Sequence, residues 1–544
     1  MDQRDRGPMN GRPDYSVRSP LPSGGDIIFL ALLYLLLGLR STALFADAST
    51  GWHLVAGQYI IAHLHLPRQD LISYTFATKP WVPFEWLFDA VAAALAGIGG
   101  LPLLAVAAAS AIALLFLLLF QDARGTGCHF LTAFAVTLIG ALASSVHWLA
   151  RPHLFTFFGV YVYARVLETF HRDRLSAPAA IGILGLTMVV WSNAHPGFLV
   201  GFAMVAIYLA AEAATVALLP RGAARAQAGL RVRTLAAGLV TAVAASFVNP
   251  NGLALYPSFT SALQQLGGNV MTAEFQSPTF HGELYSLSLE LLFAGFIVGL
   301  ATSRRRLWLG RLLLVLAFAA LALNGARNVP LFVIVSIPVV AELLTESKLL
   351  SLVDIPGGTY APWVDAWQRA WRRIERGYDR MEWRCTMHLA PLATVVLLAL
   401  SCAAAGRIPG VRPVVASSFD AQRVPTGTLA YIRDHGLAWN RGFSLDNWGG
   451  YIRYETGERI FIDDRTTFYP VAFYERYVQI ILAQPGWHTR LDEYRVQWVL
   501  IPKDVPLAAA LRDTPGWEMQ AEDPAADLFV RTNPKPALRV GEIP

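Results

Sequence analysis

The sequence has little charge and almost no cysteine. Asp, Glu, Lys and Arg make up 15% of its 544 residues, whereas soluble domains carry about 25%. Hydrophobic residues make up 54%, so an ordinary soluble protein is excluded. The three cysteines, Cys128, Cys385 and Cys402, have no metal-ligand spacing and indicate neither a zinc site nor a disulfide framework. No block of Lys and Arg alternates with aromatic residues, so the net charge of +5 does not indicate a nucleic-acid partner.

What the chain has instead is a series of apolar runs through its first 405 positions. A helix needs about 20 apolar residues to cross the hydrocarbon core of a bilayer. A short run at residues 86–98 ends in Gly99-Gly100 and is interpreted as an interfacial or half-embedded helix rather than a full crossing. The other runs predict a polytopic α-helical membrane protein with about eleven transmembrane helices. These spans are residues 26–46, 101–120, 129–149, 153–170, 180–194, 198–219, 234–248, 286–302, 307–323, 329–345 and 389–405.

Lys and Arg are distributed unevenly between the two sets of loops that eleven spans create. The loops on the side of the N-terminus hold 21 of them, and the loops on the opposite side hold 4. Because cytoplasmic loops collect positive charge, residues 1–25 are predicted to be a cytoplasmic tail and residues 47–100 a large first outer loop. Residues 26–345 then form the transmembrane module, residues 346–388 a basic cytoplasmic loop and residues 389–405 the last span.

An odd number of spans places residues 406–544 outside the cytoplasm. Short β-like runs at 443–445, 460–462, 498–501 and 528–530 alternate there with helical stretches near 425–434, 470–483 and 505–512. This alternation predicts an extracytoplasmic α/β domain. In the basic loop, Trp and Arg recur at helical spacing between Trp367 and Arg376, which predicts a helix that lies on anionic lipid.

Polar residues collect at the outer ends of the predicted spans. Ionisable groups at membrane depth are costly, and several that converge on one face indicate a functional cavity. For each residue taken singly, the alternative is a helix cap or an interfacial anchor. The set consists of Asp47, His53, Asp70, Glu85, Asp89, Arg151, His153, Asn193, His195, Asn249, Asn251 and Arg327.

Asp47 stands where the first predicted span ends, just before Ser49 and Thr50. A carboxylate at the lip of a cavity can act as the general base for an acceptor hydroxyl or amide. The alternative is that Asp47 merely caps the helix that follows.

Seven motifs follow one another along the chain. The first two are Asp47–Leu54 (Asp-Ala-Ser-Thr-Gly-Trp-His-Leu) and Pro67–Thr75 (Pro-Arg-Gln-Asp-Leu-Ile-Ser-Tyr-Thr). The others are Glu85–Leu87, Arg151–Thr156, Trp191–Gly197, Asn249–Gly252 and Arg327–Pro330. This order resembles that of the GT-C class of membrane glycosyltransferases, in particular the bacterial RgtA/B/C/D-like family. A more distant similarity is to protein mannosyltransferases and to the catalytic subunits of oligosaccharyltransferases.

The resemblance implies an enzyme of the bacterial cytoplasmic membrane whose C-terminal domain is periplasmic or extracellular. In the GT-C class, an inverting reaction moves a sugar from a polyprenyl-phosphate carrier to a glycan, lipid or protein acceptor, and a first-loop Asp is the proposed base. That role falls on Asp47. The family's second acidic position is Ser49 here, which weakens a metal site because a hard cation wants several oxygen ligands. No metal ligands are assigned, and a divalent cation such as Mg²⁺ or Mn²⁺ is left open.

The implied chemistry accounts for the remaining polar residues of the motifs. Negative charge grows on a leaving lipid phosphate, so fixed cations at the membrane lip should stabilise the transition state. Arginine forks match phosphate oxygens, and histidines can donate to the same phosphate or to sugar hydroxyls. The residues expected to bind substrate are His53, Asp70, Glu85, Arg151, His153, His195 and Arg327.

The outer domain contains Ser444–Ile452 and, after it, Phe461–Thr466. The first stretch is faintly similar to the acceptor-reading region of oligosaccharyltransferases, which makes Trp448 and Tyr451 candidate acceptor-binding residues. The alternative is a turn packed under Trp448, with Asp463-Asp464 capping a strand end.

Two other functions remain open. A transporter would show inverted repeats and broken helices near the membrane midplane, and neither is visible in the sequence. A non-catalytic GT-C-like scaffold in envelope polysaccharide assembly or export would keep the motifs without the activity, and the replacement at Ser49 keeps this alternative open.

Overall fold

The computed structural model describes residues 19–256, 275–345, 362–382, 385, 387–465 and 467–533. Within these ranges, seven helices are long and apolar enough to cross a membrane, and three shorter helices are also apolar. The chain is a polytopic helical membrane protein with a C-terminal domain that contains a small sheet, as its sequence predicts.

The helices before the C-terminal domain are numbered in chain order. They are α1 (Gly24–Tyr34), α2 (Thr50–His63), α3 (Trp86–Gly125), α4 (Phe130–Ser144), α5 (His153–His171), α6 (Ala177–Ala194), α7 (Leu199–Leu218), α8 (Ala223–Ser246), α9 (Leu284–Thr302), α10 (Leu309–Asn324), α11 (Val329–Thr345), α12 (Pro362–Glu382) and α13 (Leu389–Ala405). Each predicted span coincides with one of these helices, although α1 is shorter than predicted. It passes into a π-helical turn at Leu35–Leu39, and the chain leaves the helix at Arg40.

Helix α3 breaks at Gly99 and Gly100, the two glycines that end the short apolar run at residues 86–98. Gly99 has φ −143° and ψ 21°, and Gly100 has φ 69° and ψ −171°. A positive φ is open to glycine at no steric cost, so the chain can bend here between residues 86–98 and the apolar run that follows. Helix α3 packs against α1, α2 and α13, which makes it the central element of the bundle.

The C-terminal domain combines short helices with a four-stranded sheet. Its helices are α14 (Thr426–Asp434), α15 (Gly449–Thr456), α16 (Val471–Ile481), α17 (Trp487–Glu493) and α18 (Pro506–Arg512). Its strands are β1 (Gly442–Ser444), β2 (Trp498–Ile501), β3 (Trp517–Glu522) and β4 (Asp527–Arg531), in the order β1-β2-β4-β3. Strand β1 is parallel to β2, and the other two pairs are antiparallel.

Four elements of this domain differ from the sequence prediction. Strand β3 was missed because it is an edge strand with mostly exposed side chains, so its sequence shows no alternation of apolar and polar residues. Helices α15 and α17 were also missed, since both are short. The predicted strand at 460–462 is not in the sheet. Instead, Ile460 forms an isolated parallel bridge with Ser73 of the first loop.

The first loop and the C-terminal domain pack closely on each other. Tyr74 donates its N–H to the carbonyl of Ile460 at 2.8 Å, and Thr75 donates its hydroxyl to the carbonyl of Phe461 at 2.6 Å. A Cβ atom on Gly51 would lie 2.3 Å from the carbonyl oxygen of Gly450. The glycine at position 51 therefore permits the close approach of α2 to α15.

Residues 362–382 of the basic loop are helical, as the Trp and Arg spacing predicts. Asp379 of this helix pairs with Arg124 at 2.9 Å, and the ring of Tyr378 stacks on Phe130 at 5.2 Å. Glu382 accepts the N–H of Gly24 at 2.7 Å. These contacts tie α12 to one end of α1, α3 and α4, and its contact with lipid stays a prediction.

A pair of reporter fusions tests the orientation of α3. A reporter fused after residue 100 is expected to report the outside, and one fused after residue 125 the cytoplasm, because the basic loops lie on the side of residue 125. Alkaline phosphatase activity and GFP fluorescence, measured on the same fusion points, give opposite signals on the two sides. The reverse pattern would mean that residues 86–98 cross the membrane by themselves.

Candidate functional site

A cavity of about 1950 Å³ lies between the transmembrane helices, the first loop and the C-terminal domain. One wall is apolar and comes from Ala31, Leu32, Leu35, Leu36 and Leu39 near α1 and from Leu138, Ala141 and Leu142 of α4. The charged wall of the same cavity contains Asp47, Lys79, Glu85, Asp89, His147, Arg151, His195, Arg327, Asp446, Asp464 and Arg465. A single space thus joins an apolar surface to a concentrated set of ionisable groups.

Asp47 lies just after α1 and is held by two partners. Its Oδ2 accepts a hydrogen bond from Arg151 Nη1 at 2.5 Å, and its Oδ1 accepts the Ser49 N–H at 2.9 Å and the Ser49 hydroxyl. Burial by itself would raise the pKa of Asp47, but the Arg151 guanidinium and the Ser49 hydroxyl outweigh it and lower that pKa below its ordinary value. Asp47 is therefore an ionised carboxylate at neutral pH.

Asp464 brings a second carboxylate to this corner from the C-terminal domain. Its Oδ1 is buried and has no hydrogen-bond partner among the described residues. Burial, followed by the charge of Asp47, raises the pKa of Asp464 well above its ordinary value. The environment therefore drives Asp47 and Asp464 toward opposite protonation states. The two residues lie more than 400 positions apart, so no local sequence signal could have paired them.

Glu85 and three neighbours form a second cluster, of which Glu85, Asp89 and His195 line the same cavity. His53 of α2 is fully buried, and its Nδ1 lies 2.7 Å from Asp89 Oδ1. Its Nε2 lies 4.0 Å from Glu85 Oε2, and His195 Nε2 lies 3.8 Å from Glu85 Oε1. The predicted topology places His53, Glu85 and His195 on the same side of the membrane. In the structure, both imidazole rings lie within 4.0 Å of the Glu85 carboxyl group.

Arg465 forms a buried charge network at the edge of the cavity. It donates to Asp463 at 2.8 and 2.7 Å and to Asp70 at 2.6 Å. Its guanidinium carbon lies 4.6 Å from the ring centre of Trp81. Asp70 also accepts the N–H groups of Ile72 and Ser73, both at 3.0 Å. Asp70 lies outside the residues that line the cavity, and the sequence did not identify Arg465.

Arg327 and Lys79 belong to the lining of the cavity, whereas His153 is buried in the protein core. Arg327 lines the cavity, with its guanidinium carbon 4.5 Å from the ring centre of Phe275. Lys79 also lines it, and its ammonium lies 4.6 Å from the ring centre of Phe468. His153 is buried behind the wall, where its ring packs on His147 with a centre distance of 4.2 Å.

Trp448 and Tyr451 are packed inside the C-terminal domain. They are only 3% and 5% exposed, and Trp448 Nε1 donates to the carbonyl of Arg423 at 2.7 Å. This arrangement matches the alternative of a turn packed under Trp448. Asp446 and Asn447, just before them, line the cavity instead, and acceptor contact by Trp448 or Tyr451 stays a prediction.

Comparison with solved structures gives the fold. The oligosaccharyltransferase of Archaeoglobus fulgidus, tethered with an acceptor peptide containing the NVT sequon, matches with a TM-score of 0.52 and 13% identity over 88% of this chain and 68% of that chain. Its apo form matches with a TM-score of 0.50 over 88% and 69%. ArnT from Cupriavidus metallidurans, bound to undecaprenyl phosphate, matches with a TM-score of 0.42 and 15% identity over 92% and 97%. The chain has the GT-C glycosyltransferase fold. No protein-family model and no curated protein matches the sequence.

Within the described part of the chain, the donor groups of this GT-C fold do not form a metal site. Among the described residues, no three His, Cys, Asp or Glu side chains are placed to hold one metal ion. The oxygens of Asp47 are already occupied by Arg151 and Ser49, whereas Mg²⁺ and Ca²⁺ require several oxygen ligands. The described residues therefore do not fit the divalent cation that the sequence leaves open.

Proposed function

We propose that this protein is an inverting glycosyltransferase that moves a sugar from a polyprenyl-phosphate carrier to a glycan, lipid or protein acceptor. The reaction takes place at the outer face of the bacterial cytoplasmic membrane, with the N-terminus in the cytoplasm and the C-terminal domain in the periplasm or outside the cell. The GT-C fold supports the reaction class, and the excess of Lys and Arg in the predicted cytoplasmic loops supports the orientation.

The observation that carries the proposal is the single cavity with two unlike walls. An isoprenoid chain needs an apolar surface, which α1 and α4 provide, and a phosphate needs fixed positive charge. Arg151 and Arg327 lie in the charged wall of the same cavity. A lipid phosphate seated between the two walls would place its glycosidic bond among the ionisable groups of the first loop.

The proposed roles follow from this placement. Asp47 takes the proton of the acceptor, since it is ionised and lines the cavity. Arg151, Arg327 and His195 bind the phosphate, where planar guanidinium forks suit its oxygens. His53, Asp70 and His153 support this wall from behind, because they lie outside the residues that line the cavity.

Binding of undecaprenyl phosphate to the purified protein tests the carrier. An Arg327→Met variant is expected to bind it about 10- to 100-fold more weakly, because a charge-assisted hydrogen bond contributes about 1.5–3 kcal/mol. Native mass spectrometry of the protein released from nanodiscs measures the bound fraction across a concentration series.

The matched control is Arg304→Met, in the predicted cytoplasmic loop before α10, which should bind as the unchanged protein does. Transfer of radiolabelled sugar from undecaprenyl-phosphate hexoses and pentoses then tests the reaction. Binding without any transfer would favour the non-catalytic scaffold, and equal binding by both variants would contradict the assigned phosphate site.

A further inference from the structure

A second cavity, of about 550 Å³, adjoins the main one at the C-terminal domain. Its lining comes from the chain on both sides of Asp47, from the segment before α14, from the segments that follow β1 and β2, and from the turn between β3 and β4. Ala46, Arg423, Leu445 and Asn447 line both cavities, so the two spaces are continuous. The polar groove, as this cavity is called below, has five exposed polar residues: Gln422, Arg423, Asn447, Lys503 and Asp504.

Asp47 stands at the junction of the two cavities. Its chain neighbours Ala46 and Ala48 line the polar groove, and Asp47 itself lines the main cavity. None of the described α1 and α4 residues that form the apolar wall of the main cavity lines the groove. The groove is therefore a second approach to Asp47, separate from the surface proposed for the isoprenoid chain.

The polar groove lies across the carboxyl ends of two parallel strands. Strand β1 pairs with β2 in parallel. Asn447 follows β1, and Lys503 and Asp504 follow β2. In open α/β sheets, ligands bind in the crevice outside the carboxyl ends of the strands, and the groove occupies this position.

Buried hydrogen bonds hold the segments of the groove together. Trp448 Nε1 donates to the carbonyl of Arg423 at 2.7 Å, which ties the segment before α14 to the segment after β1. Thr428 donates its N–H and its hydroxyl to Asp523 Oδ2, both at 3.0 Å, which ties the start of α14 to the turn between β3 and β4. A groove fixed in this way needs little ordering when a ligand binds.

Three side chains of the groove are available to a ligand. The exposed side chains of Gln422, Asn447 and Asp504 have no hydrogen-bond partner among the described residues. The two cations have surface partners: Arg423 Nε lies 3.7 Å from Asp420 Oδ2, and Lys503 Nζ lies 3.1 Å from Glu522 Oε2. Amides both donate and accept, a carboxylate accepts, and the cations donate.

This lining fits a chain of sugar hydroxyls better than a lipid or a peptide. Each hydroxyl is both a donor and an acceptor, which matches the mixture of amide, carboxylate and cationic groups. A lipid needs an apolar path, but the exposed residues of the groove are polar apart from Pro524. Peptides are usually bound along a free strand edge, in an apolar groove or on aromatic rings. The groove crosses strand ends instead, and the aromatic residue in its lining, Trp448, is only 3% exposed.

We propose that the acceptor is a hydrophilic glycan, which lies in the polar groove and presents a hydroxyl group to Asp47. This assignment rests on the proposed function and narrows its acceptor to one chemical class. The acceptor oxygen bonds to the anomeric carbon of the sugar, and its proton goes to Asp47. The bond from that carbon to the phosphate oxygen breaks, and its electron pair leaves with the carrier phosphate.

Fractionated acceptors test the chemical class. Cells that lack the gene supply unmodified acceptor, and their envelope is separated into water-soluble glycans released by mild acid, lipids extracted with chloroform and methanol, and protein. The purified full-length protein is given each fraction with radiolabelled undecaprenyl-phosphate hexoses and pentoses. Label should enter the released glycans although their lipid anchors are gone. Label in the lipid or protein fraction alone would contradict the proposal.

Replacing both Gln422 and Asn447 by Leu tests the use of the groove. The half-saturating concentration of released glycan should rise about tenfold, or about 1.4 kcal/mol, for the loss of two neutral hydrogen bonds, with kcat nearly unchanged. Undecaprenyl phosphate, measured by native mass spectrometry, should bind as before, which also shows that the variant is folded. The matched control replaces Gln479 and Gln484, which are exposed and line neither cavity, and it should behave as the wild type.

A bulky label in the groove tests the same route by obstruction. Cys128, Cys385 and Cys402 are buried, so a polyethylene-glycol maleimide should react with a cysteine introduced at the exposed position of Lys503. The labelled Lys503→Cys variant should lose transfer to the released glycans and keep its binding of undecaprenyl phosphate. A labelled Glu475→Cys variant, on the exposed face of α16 and outside both cavities, should keep both.

The outcomes separate the acceptor proposal from the proposed function. If label enters the released glycans but both groove variants behave as their controls, the glycan does not use the groove and the proposed function stands. If label enters only lipid or protein, the acceptor class is wrong and the proposed function again stands. If the wild type transfers sugar to none of the three fractions, the proposed function fails and the acceptor proposal fails with it.

Discussion

Replacing Asp47 by Asn is expected to lower sugar transfer by about 10³-fold, which is within the usual contribution of a general base. Asn has nearly the same shape, but it cannot accept the proton of an acceptor hydroxyl. It also gives up the charge-assisted bond with Arg151, whose Nη1 lies 2.5 Å from Asp47 Oδ2. Initial rates with a saturating undecaprenyl-phosphate donor measure the effect, because the loss should fall on kcat more than on KM.

Two control variants distinguish a loss of catalysis from a loss of folding. Asp434→Asn changes an exposed carboxylate of the C-terminal domain that lies 3.6 Å from Arg433, and it should leave the rate unchanged. Ser49→Ala removes the hydroxyl bond to Asp47 but keeps the Asp47 carboxylate, so its rate should fall by less than that of Asp47→Asn. Normal transfer by Asp47→Asn at normal membrane level would show that Asp47 is not the base.

Replacing Arg465 by Met is expected to destabilise the packing of the first loop on the C-terminal domain by about 3–5 kcal/mol. The change leaves Asp463 and Asp70 buried with no cation between them, and an uncompensated buried charge costs that much. Asp463 and Asp70 are 0% and 1% exposed, so water cannot solvate them. Thermal unfolding in detergent and limited proteolysis of the first loop measure the loss.

A triple variant isolates the electrostatic cause. Adding Asp70→Asn and Asp463→Asn to Arg465→Met removes the buried negative charge and should restore much of the stability. Arg433→Met, whose partner is exposed, should unfold as the wild type does because surface pairs contribute about 0–1 kcal/mol. If the Arg465 variant were as stable as the Arg433 variant, the network would not hold the first loop in place.

The hydrophobic runs predicted the membrane fold because a helix that crosses lipid must contain about 20 mostly apolar residues. The same length requirement separates residues 86–98, which are too few to cross the membrane, from the apolar run after Gly99-Gly100 in α3. The alternation that reveals a strand requires one buried face, and β3 at the sheet edge has none, so it was not recognised. The sequence therefore predicts an element when the apolar pattern of that segment reflects whether its own side chains are buried.

The residues of the candidate site could be predicted from the sequence only in part. The sequence identified Asp47, Glu85, Arg151, His195 and Arg327, and all five line one cavity. It missed Asp464 and Arg465 as members of that cavity wall, since their partners Asp47 and Asp70 belong to the distant first loop. It also named Trp448 and Tyr451, whose side chains are nearly fully buried and whose contact with an acceptor stays a prediction.

By itself, the sequence determined that the chain is a membrane protein, where its long apolar helices lie, and which first-loop carboxylates are candidates for a catalytic role. These properties depend on composition along short segments. Only the tertiary structure decided the electrostatics: that Arg151 holds Asp47 ionised, and that burial and the charge of Asp47 raise the pKa of Asp464. Protonation depends on distances of a few ångströms between residues far apart in the chain, and folding alone sets those distances.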